Sequence, residues 1–288
     1  MKGIDVLLSG HQHRSLAGKL FDTVYTQTSD KGSEVGCVDI YPEDNKIEAR
    51  IVPCMAKADE RVCACAQKEE DACQVWLDQS LGTCENDLLI HDEDDARLHK
   101  TQLITFLNKV AMEASGADIS ANALFLHATG FNHEITMRDL VSTYVYPNTL
   151  VVKKMSGRVL RDYLEKDAEF FCIKEDGSIG VSEKYVSPKP QHYNYDMLDG
   201  IAYTIQVSNP EGSRIVSLTR NGSPVKDNDE FTVVMNNYRA SGGGNYDMLK
   251  NAETVQEISA SMVDLIAEYI MKHKVIAFED VHNIQVIV

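Results

Sequence analysis

Three short stretches of this 288-residue chain carry residue types that could do chemistry. The first is Gly10-His11-Gln12-His13, which follows the apolar residues Ile4, Val6, Leu7 and Leu8. Two imidazoles two residues apart on one loop can reach two adjacent metal ions, and a preceding glycine lets the backbone turn tightly. A bare pattern of this kind also fits a surface loop with incidental histidines. Its place at the C-terminal end of a strand, where α/β sites gather, favours the functional reading. The second stretch is Tyr144-Val145-Tyr146-Pro147-Asn148-Thr149, in which Pro147 holds Tyr146 extended and could present its ring to a cleft. The third runs from Asn236 to Tyr246 and contains Asn237, Tyr238, Arg239 and the glycines Gly242, Gly243 and Gly244. Consecutive glycines would let a ligand approach the backbone, while Tyr, Asn and Arg offer a stacking face and hydrogen bonds. Two tyrosines from separate loops could clamp a purine or pyrimidine. Either loop alone also fits a flexible glycine turn with core tyrosines.

These loops need elements to hold them. Residues 1–55 read as short strands and turns, with a buried strand over 5–8, another over 23–26, and a hairpin of 35–40 with 46–52. Residues 56–81 switch to helical spacing, with Val62, Cys65, Cys73, Trp76 and Leu81 near one face and Gly82 as the stop. The stretch 85–95 carries six acidic residues without the spacing of a calcium loop, and reads as solvated surface. Beyond residue 97 the pattern is mixed α+β. Helices are predicted at 98–114, 136–144, 156–170 with Ser156 as N-cap, and 253–272 with the stripe Val255, Ile258, Met262, Leu265 and Tyr269. Strands are predicted at 149–154, 201–207, 214–220 and 231–236, with Asn221-Gly222 as a hairpin turn between the last two.

Composition sets the outer bounds. Lys and Arg number 28 against 44 Asp and Glu, a formal net charge of −16. That balance argues against DNA, RNA or an anionic membrane as a partner, because such surfaces are bound by clustered Lys and Arg. It leaves room for a small phosphorylated ligand in a local pocket. No apolar run approaches the ~20 residues that span a bilayer, and no signal-peptide pattern opens the chain. The seven cysteines leave at least one unpaired within the chain. Five of them (Cys54, Cys63, Cys65, Cys73, Cys84) fall close together without a CxxC pair. Residues two apart point to nearly opposite sides of a helix, so small buried apolar residues on a helix are favoured over a metal cluster.

Taken in order, these stretches resemble the 5'-nucleotidase superfamily, and within it the bifunctional 2',3'-cyclic-nucleotide 2'-phosphodiesterase/3'-nucleotidases. The resemblance rests on SGHQHR, GFNHEITMRDLVSTYVYPNTL, PKPQHYNYDMLDGIAYTIQV and FTVVMNNYRASGGGNYDML, and covers nearly the whole chain. It implies an α/β, mixed α+β, architecture in three parts. Residues 1–55 would be the last strands of a calcineurin-like metallophosphoesterase domain, 56–84 a linking helix, and 85–288 the nucleotide-binding, substrate-recognition domain. His11 and His13 would then be ligands of a two-metal centre. Tyr146 and Tyr238 would sandwich the base, with Asn237, Arg239, Gly242 and Gly243 shaping the same pocket. In the 5'-nucleotidase branch an Asp follows the paired glycines and helps hold the nucleoside; here Gly244 stands in that place.

The family's other metal ligands come from D-x-H, G-D-x-x-D and N-H-E motifs ahead of the GHxH motif, and none precedes Gly10. The expectation is therefore the C-terminal portion of a metal-dependent nucleotide phosphoesterase, with its catalytic groups in the missing part. The intact enzyme would use two divalent ions, zinc, manganese or similar, not both of them held by this chain. Rival expectations are a non-catalytic nucleoside- or nucleotide-binding module and a 5'-nucleotidase of the same superfamily. The expected partner is a small-molecule nucleotide or nucleoside, with no nucleic-acid polymer and no membrane insertion.

Overall fold

The computed structural model describes residues 3–288, and the chain falls into two compact units, Met1–Glu70 and Asp71–Val288. In the first, strand Val6–Ser9 runs parallel to Thr23–Gln27, which pairs on its other side with antiparallel Leu16–Leu20. A hairpin of Glu34–Tyr41 and Lys46–Pro53 packs on this sheet, so closely that a Cβ at Gly36 would lie 2.8 Å from Thr26 Oγ1. Burial is confined to the middle strand around Val24. The strand at the start of the chain, expected to be buried, is not: Leu8 is 67% exposed. It is an outer strand of the three-stranded sheet, with only Val6 half-buried.

Helix Glu60–Leu77 spans the boundary between the units and has no buried residue. This overturns the expected apolar face, since Val62, Trp76, Cys63, Cys65 and Cys73 are all exposed. The spacing is helical, but burial needs an apolar partner surface, and among the described residues nothing buries this face. Nor is Gly82 a helix stop. It lies in strand Ser80–Cys84, where a Cβ would come within 2.5 Å of the Lys274 carbonyl oxygen. Leu81 and Cys84 of the same strand are buried. The predicted linking segment 56–84 is thus a shorter helix followed by the first strand of the second unit.

That second unit is mixed α/β. Its central sheet has five strands in the order Asp196–Asp199, Ile119–Ala123, Glu230–Asn236, Thr149–Ser156, Glu253–Ser261. A four-stranded sheet and a three-stranded sheet flank it, the latter built on Ser80–Cys84. Helices Gln102–Ser115 and Met262–His273 meet through Phe106 and Tyr269, edge-on with ring centroids 5.6 Å apart. Leu103, Phe106, Ile119, Val233, Ile266 and Ile270 belong to one continuous core. Gly116 ends its helix in the left-handed region at φ 69°, with its amide donating to the Met112 carbonyl. Helix Gly157–Ala168 begins as predicted at Ser156, whose hydroxyl accepts from the Val159 amide at 3.3 Å.

Two expectations change here. Residues 253–261 form an edge strand, not helix, pairing antiparallel with Thr149–Ser156 through Leu150↔Ile258 and Val152↔Gln256. Ser261 then caps the real helix by accepting from the Asp264 amide at 3.2 Å. The Asn221-Gly222 turn does close a hairpin, but strand Ile215–Arg220 returns along Ser223–Pro224, while Glu230–Asn236 crosses to the central sheet. The acidic stretch is solvated surface as expected, with Glu85, Asp87, Asp92, Asp94 and Asp95 all exposed. Asp92 caps helix Glu93–His99 by accepting from the Asp94 and Asp95 amides, where carboxylates oppose the helix dipole favourably.

Candidate functional site

Three loops of the second unit bring tyrosines together. Helix Met137–Thr143 opens with a capping box: Thr136 Oγ1 accepts from the Asp139 amide, and Asp139 Oδ2 accepts from the Thr136 amide. Such caps contribute about 1 kcal/mol and fix the helix start. The helix stops at Tyr144, whose buried ring stands edge-on to Phe125 at 4.9 Å. Two residues on, Tyr146 packs on the same Phe125 at 5.0 Å and 80°, with almost half its surface still open.

Tyr238 rides on the single turn Asn237–Ala240, capped by Asn236, which accepts from the Arg239 amide at 2.8 Å. Gly243 returns beneath it, its amide donating to the Tyr238 carbonyl at 3.0 Å. A Cβ at Gly243 would lie 2.6 Å from ring atoms Cε2 and Cζ of Tyr238. A glycine there lets the backbone lie against the ring. Gly242 is needed for another reason, its φ of 87°.

The third loop carries a residue that the sequence did not single out. Tyr193 lies in the short 3-10 turn His192–Asn194, its ring 6.3 Å from that of Tyr238 and at 70° to it. Beside it, Asn194 Oδ1 accepts from the Tyr238 hydroxyl at 3.4 Å. Burial, followed by the nearby phenols of Tyr238 and Tyr146, pushes the Tyr193 hydroxyl above the ordinary tyrosine range. The hydroxyls of both predicted aromatics thus lie within electrostatic reach of the Tyr193 hydroxyl.

Arg239 holds this arrangement from below. It is fully buried, with Nε 2.6 Å from Asp196 Oδ2 and Nη2 donating to the Tyr193 carbonyl at 3.2 Å. Nη1 donates to the Gly243 carbonyl and, at 3.5 Å, to Asn194 Oδ1. The guanidinium also lies 3.8 Å from the ring centroid of Tyr246. One side chain thereby ties the tyrosine turn, the glycine loop and the Tyr193 segment together, shaping the site without reaching its surface. Asn237 lines a different space, a cavity of about 460 Å³ with Thr149, Lys153, Ser241 and Glu257, in which none of the three tyrosines takes part.

Asp167 completes the buried layer. Its Oδ1 accepts from the Tyr246 hydroxyl at 2.5 Å and the Asp196 amide at 3.0 Å, while its Oδ2 has no partner among the described residues. Burial, and after it the charge of Asp196, pushes the Asp167 carboxyl well above the usual carboxylate range. The folded state then holds this proton more tightly than the unfolded chain. Its stabilising contribution is full below the unfolded carboxyl value of ~3.9 and is lost as pH rises through the raised folded value. Asp167→Asn keeps the acceptor and removes the titration, so melting scans from pH 4 to 7.5 should show a flatter decline in Tm. An unchanged slope would contradict the assignment.

The comparisons follow from this geometry. Residues 80–251, more than half of the chain, match the family described as 5'-nucleotidase, C-terminal domain. The chain belongs to that family. It is 25% identical to a trifunctional nucleotide phosphoesterase of Bacillus subtilis, covering 96% of this chain and 22% of that protein. A 2',3'-cyclic-nucleotide 2'-phosphodiesterase/3'-nucleotidase of Salmonella typhimurium is 26% identical over 84% of this chain and 46% of its own length. A candidate 5'-nucleotidase from Staphylococcus aureus, solved with alpha-ketoglutarate, superposes with a TM-score of 0.89 at 33% identity, over 100% of this chain and 57% of that one. The chain therefore spans less than half the length of these two curated relatives.

Within the 5'-nucleotidase C-terminal domain, Gly244 takes the place of the Asp expected in the 5'-nucleotidase branch. Here φ is 75°, and a Cβ would lie 2.4 Å from Asn194 Oδ1 and 2.6 Å from Arg239 Nη1. The site has no space for that carboxylate. In the first unit, His11 and His13 are exposed on the turn after strand Val6–Ser9, and the His13 amide donates to the Gly10 carbonyl at 3.1 Å. The left-handed residue of this turn is His13, at φ 51°, not the glycine. Among the described residues no group of three or more His, Cys, Asp or Glu could hold a metal ion. Two imidazoles are fewer than the three or four protein ligands that a zinc ion takes, so His11 and His13 by themselves cannot complete a dinuclear centre. The letters N-H-E recur at Asn132-His133-Glu134, but there His133 Nδ1 lies 2.6 Å from the Cys84 carbonyl and Asn132 donates to Asp139. No helix among the described residues is long and apolar enough to cross a membrane.

Proposed function

We propose that this chain is the nucleotide-binding C-terminal part of a metal-dependent nucleotide phosphoesterase acting on 2',3'-cyclic and 3'-nucleotides. The observation that carries it is the cluster of Tyr146, Tyr193 and Tyr238 in a domain of this family. Every base has a π face, and each stacked base contributes about 1–3 kcal/mol to binding. A net charge of −16 suits a single small ligand held by stacking better than a polyanion tracked by basic residues. In this reading a longer protein would hold two divalent ions, which would supply an activated water and charge to oppose that of the phosphoryl oxygens. His11 and His13 would contribute two of their ligands. The tyrosines bind and orient the nucleoside, with Arg239, Asp196 and Gly243 fixing Tyr193 and Tyr238 and Phe125 backing Tyr146.

Titration calorimetry of this chain with adenosine, 3'-AMP and 5'-AMP tests the binding claim, and saturable heat with adenosine and 3'-AMP is expected. No heat at millimolar ligand would reject it. A phosphatase assay with Mn²⁺ or Zn²⁺ tests the second claim, that hydrolysis belongs to the longer protein. Turnover well above background would overturn it. The shortage of ligands around His11 and His13 also supports a second reading, a nucleoside-binding module without catalysis. That reading predicts heat from the ligands and no turnover in any longer form of the protein.

A further inference from the structure

We infer that Tyr193 is a third wall of the nucleoside site and that its hydroxyl reads the edge of the base. The inference rests on the proposed stacking role of Tyr238 and adds to it. A base stacked on Tyr238 takes up the plane of that ring. Tyr193 stands at 70° to the plane with its centroid 6.3 Å away, so it cannot stack on the same base. It meets the rim instead, where the ring nitrogens, carbonyls and amino groups that distinguish one base from another are found. Among the described residues the Tyr193 hydroxyl has no hydrogen-bond partner, whereas that of Tyr238 is taken by Asn194. Tyr193 is also held in register with the stacking face, because Arg239 Nη2 grips its carbonyl while Nη1 reaches the Gly243 carbonyl beneath Tyr238. A phenol both donates and accepts, so it can match an amino group or a carbonyl but not both equally in one pose.

The test is the affinity of the full chain for adenosine, inosine, cytidine and uridine, measured by calorimetry for the wild type, Tyr193→Phe and Tyr238→Ala. Removing one neutral hydrogen bond should weaken the tightest of the four by about 2- to 12-fold. The weakest should hardly move, so the spread among them narrows. Tyr238→Ala should instead weaken all four together. A Tyr193→Phe protein that melts like the wild type and keeps all four dissociation constants within twofold would overturn the inference, provided Tyr238→Ala does weaken binding. If Tyr238→Ala is also without effect, the stacking site itself is refuted, and the role of Tyr193 falls with it.

Discussion

Arg239→Ala is expected to lower the unfolding free energy of the second unit by about 3–5 kcal/mol, the usual cost of removing one partner from a buried ion pair. The guanidinium and Asp196 are both fully buried and 2.6 Å apart, and Tyr163 also donates to the same carboxylate oxygen. Without Arg239 the charge of Asp196 has no counter-ion, and the Tyr193 and Gly243 carbonyls lose a donor. Arg239→Lys should recover only part of the loss. An ammonium supplies charge but not a planar fork that meets Asp196, Asn194, Tyr193 and Gly243 at once. Urea unfolding followed by circular dichroism measures both variants. A loss below about 1 kcal/mol for Arg239→Ala would mean that the buried pair is not what holds these three loops.

Tyr238→Ala and Tyr146→Ala should each weaken adenosine binding by about 5- to 150-fold, the equivalent of the 1–3 kcal/mol of one stacking contact. Stability should change far less than with Arg239, because both rings are more than two-fifths exposed. Tyr238→Phe should bind almost as the wild type, since the π face remains and only the long contact to Asn194 is lost. Calorimetry reads the affinities and thermal melts read the stability. Unchanged affinity in both alanine variants would remove the clamp. In a longer, active protein the same changes should raise KM for nucleotides.

Much of this arrangement was legible in the sequence, and the exceptions share a cause. Ser156 announced its helix because a cap is a local event, and the Thr136–Asp139 box was an equally local signal for the helix that follows it. Residues 253–261 read as helix because Val255 and Ile258 stand three apart, a helical spacing, and an edge strand that is mostly exposed imposes no alternation. The decisive signal was available in Ser261 with Asp264 three residues on, which places the helix start later. The cysteine-bearing helix showed its period but not its lack of a covering surface. Arg239 could be assigned to the site from its motif, but its burial depends on Asp196, 43 residues away. Tyr193 sits among prolines and polar residues with no periodicity. Only its position beside Tyr238 in space gives it a role.

The contact of Gly243 with the Tyr238 ring bears on the thermodynamics of recognition. A solvent-facing tyrosine ordinarily gives up side-chain freedom when a ligand stacks on it, which subtracts about 0.5–1.5 kcal/mol from the gain. Here backbone lies against one side of the ring and Asn194 holds the hydroxyl, so the ring is already in place. Little ordering is left for the ligand to impose. Stacking on such a preorganised face yields most of its interaction energy as affinity, and the three glycines conserve entropy as well as shape.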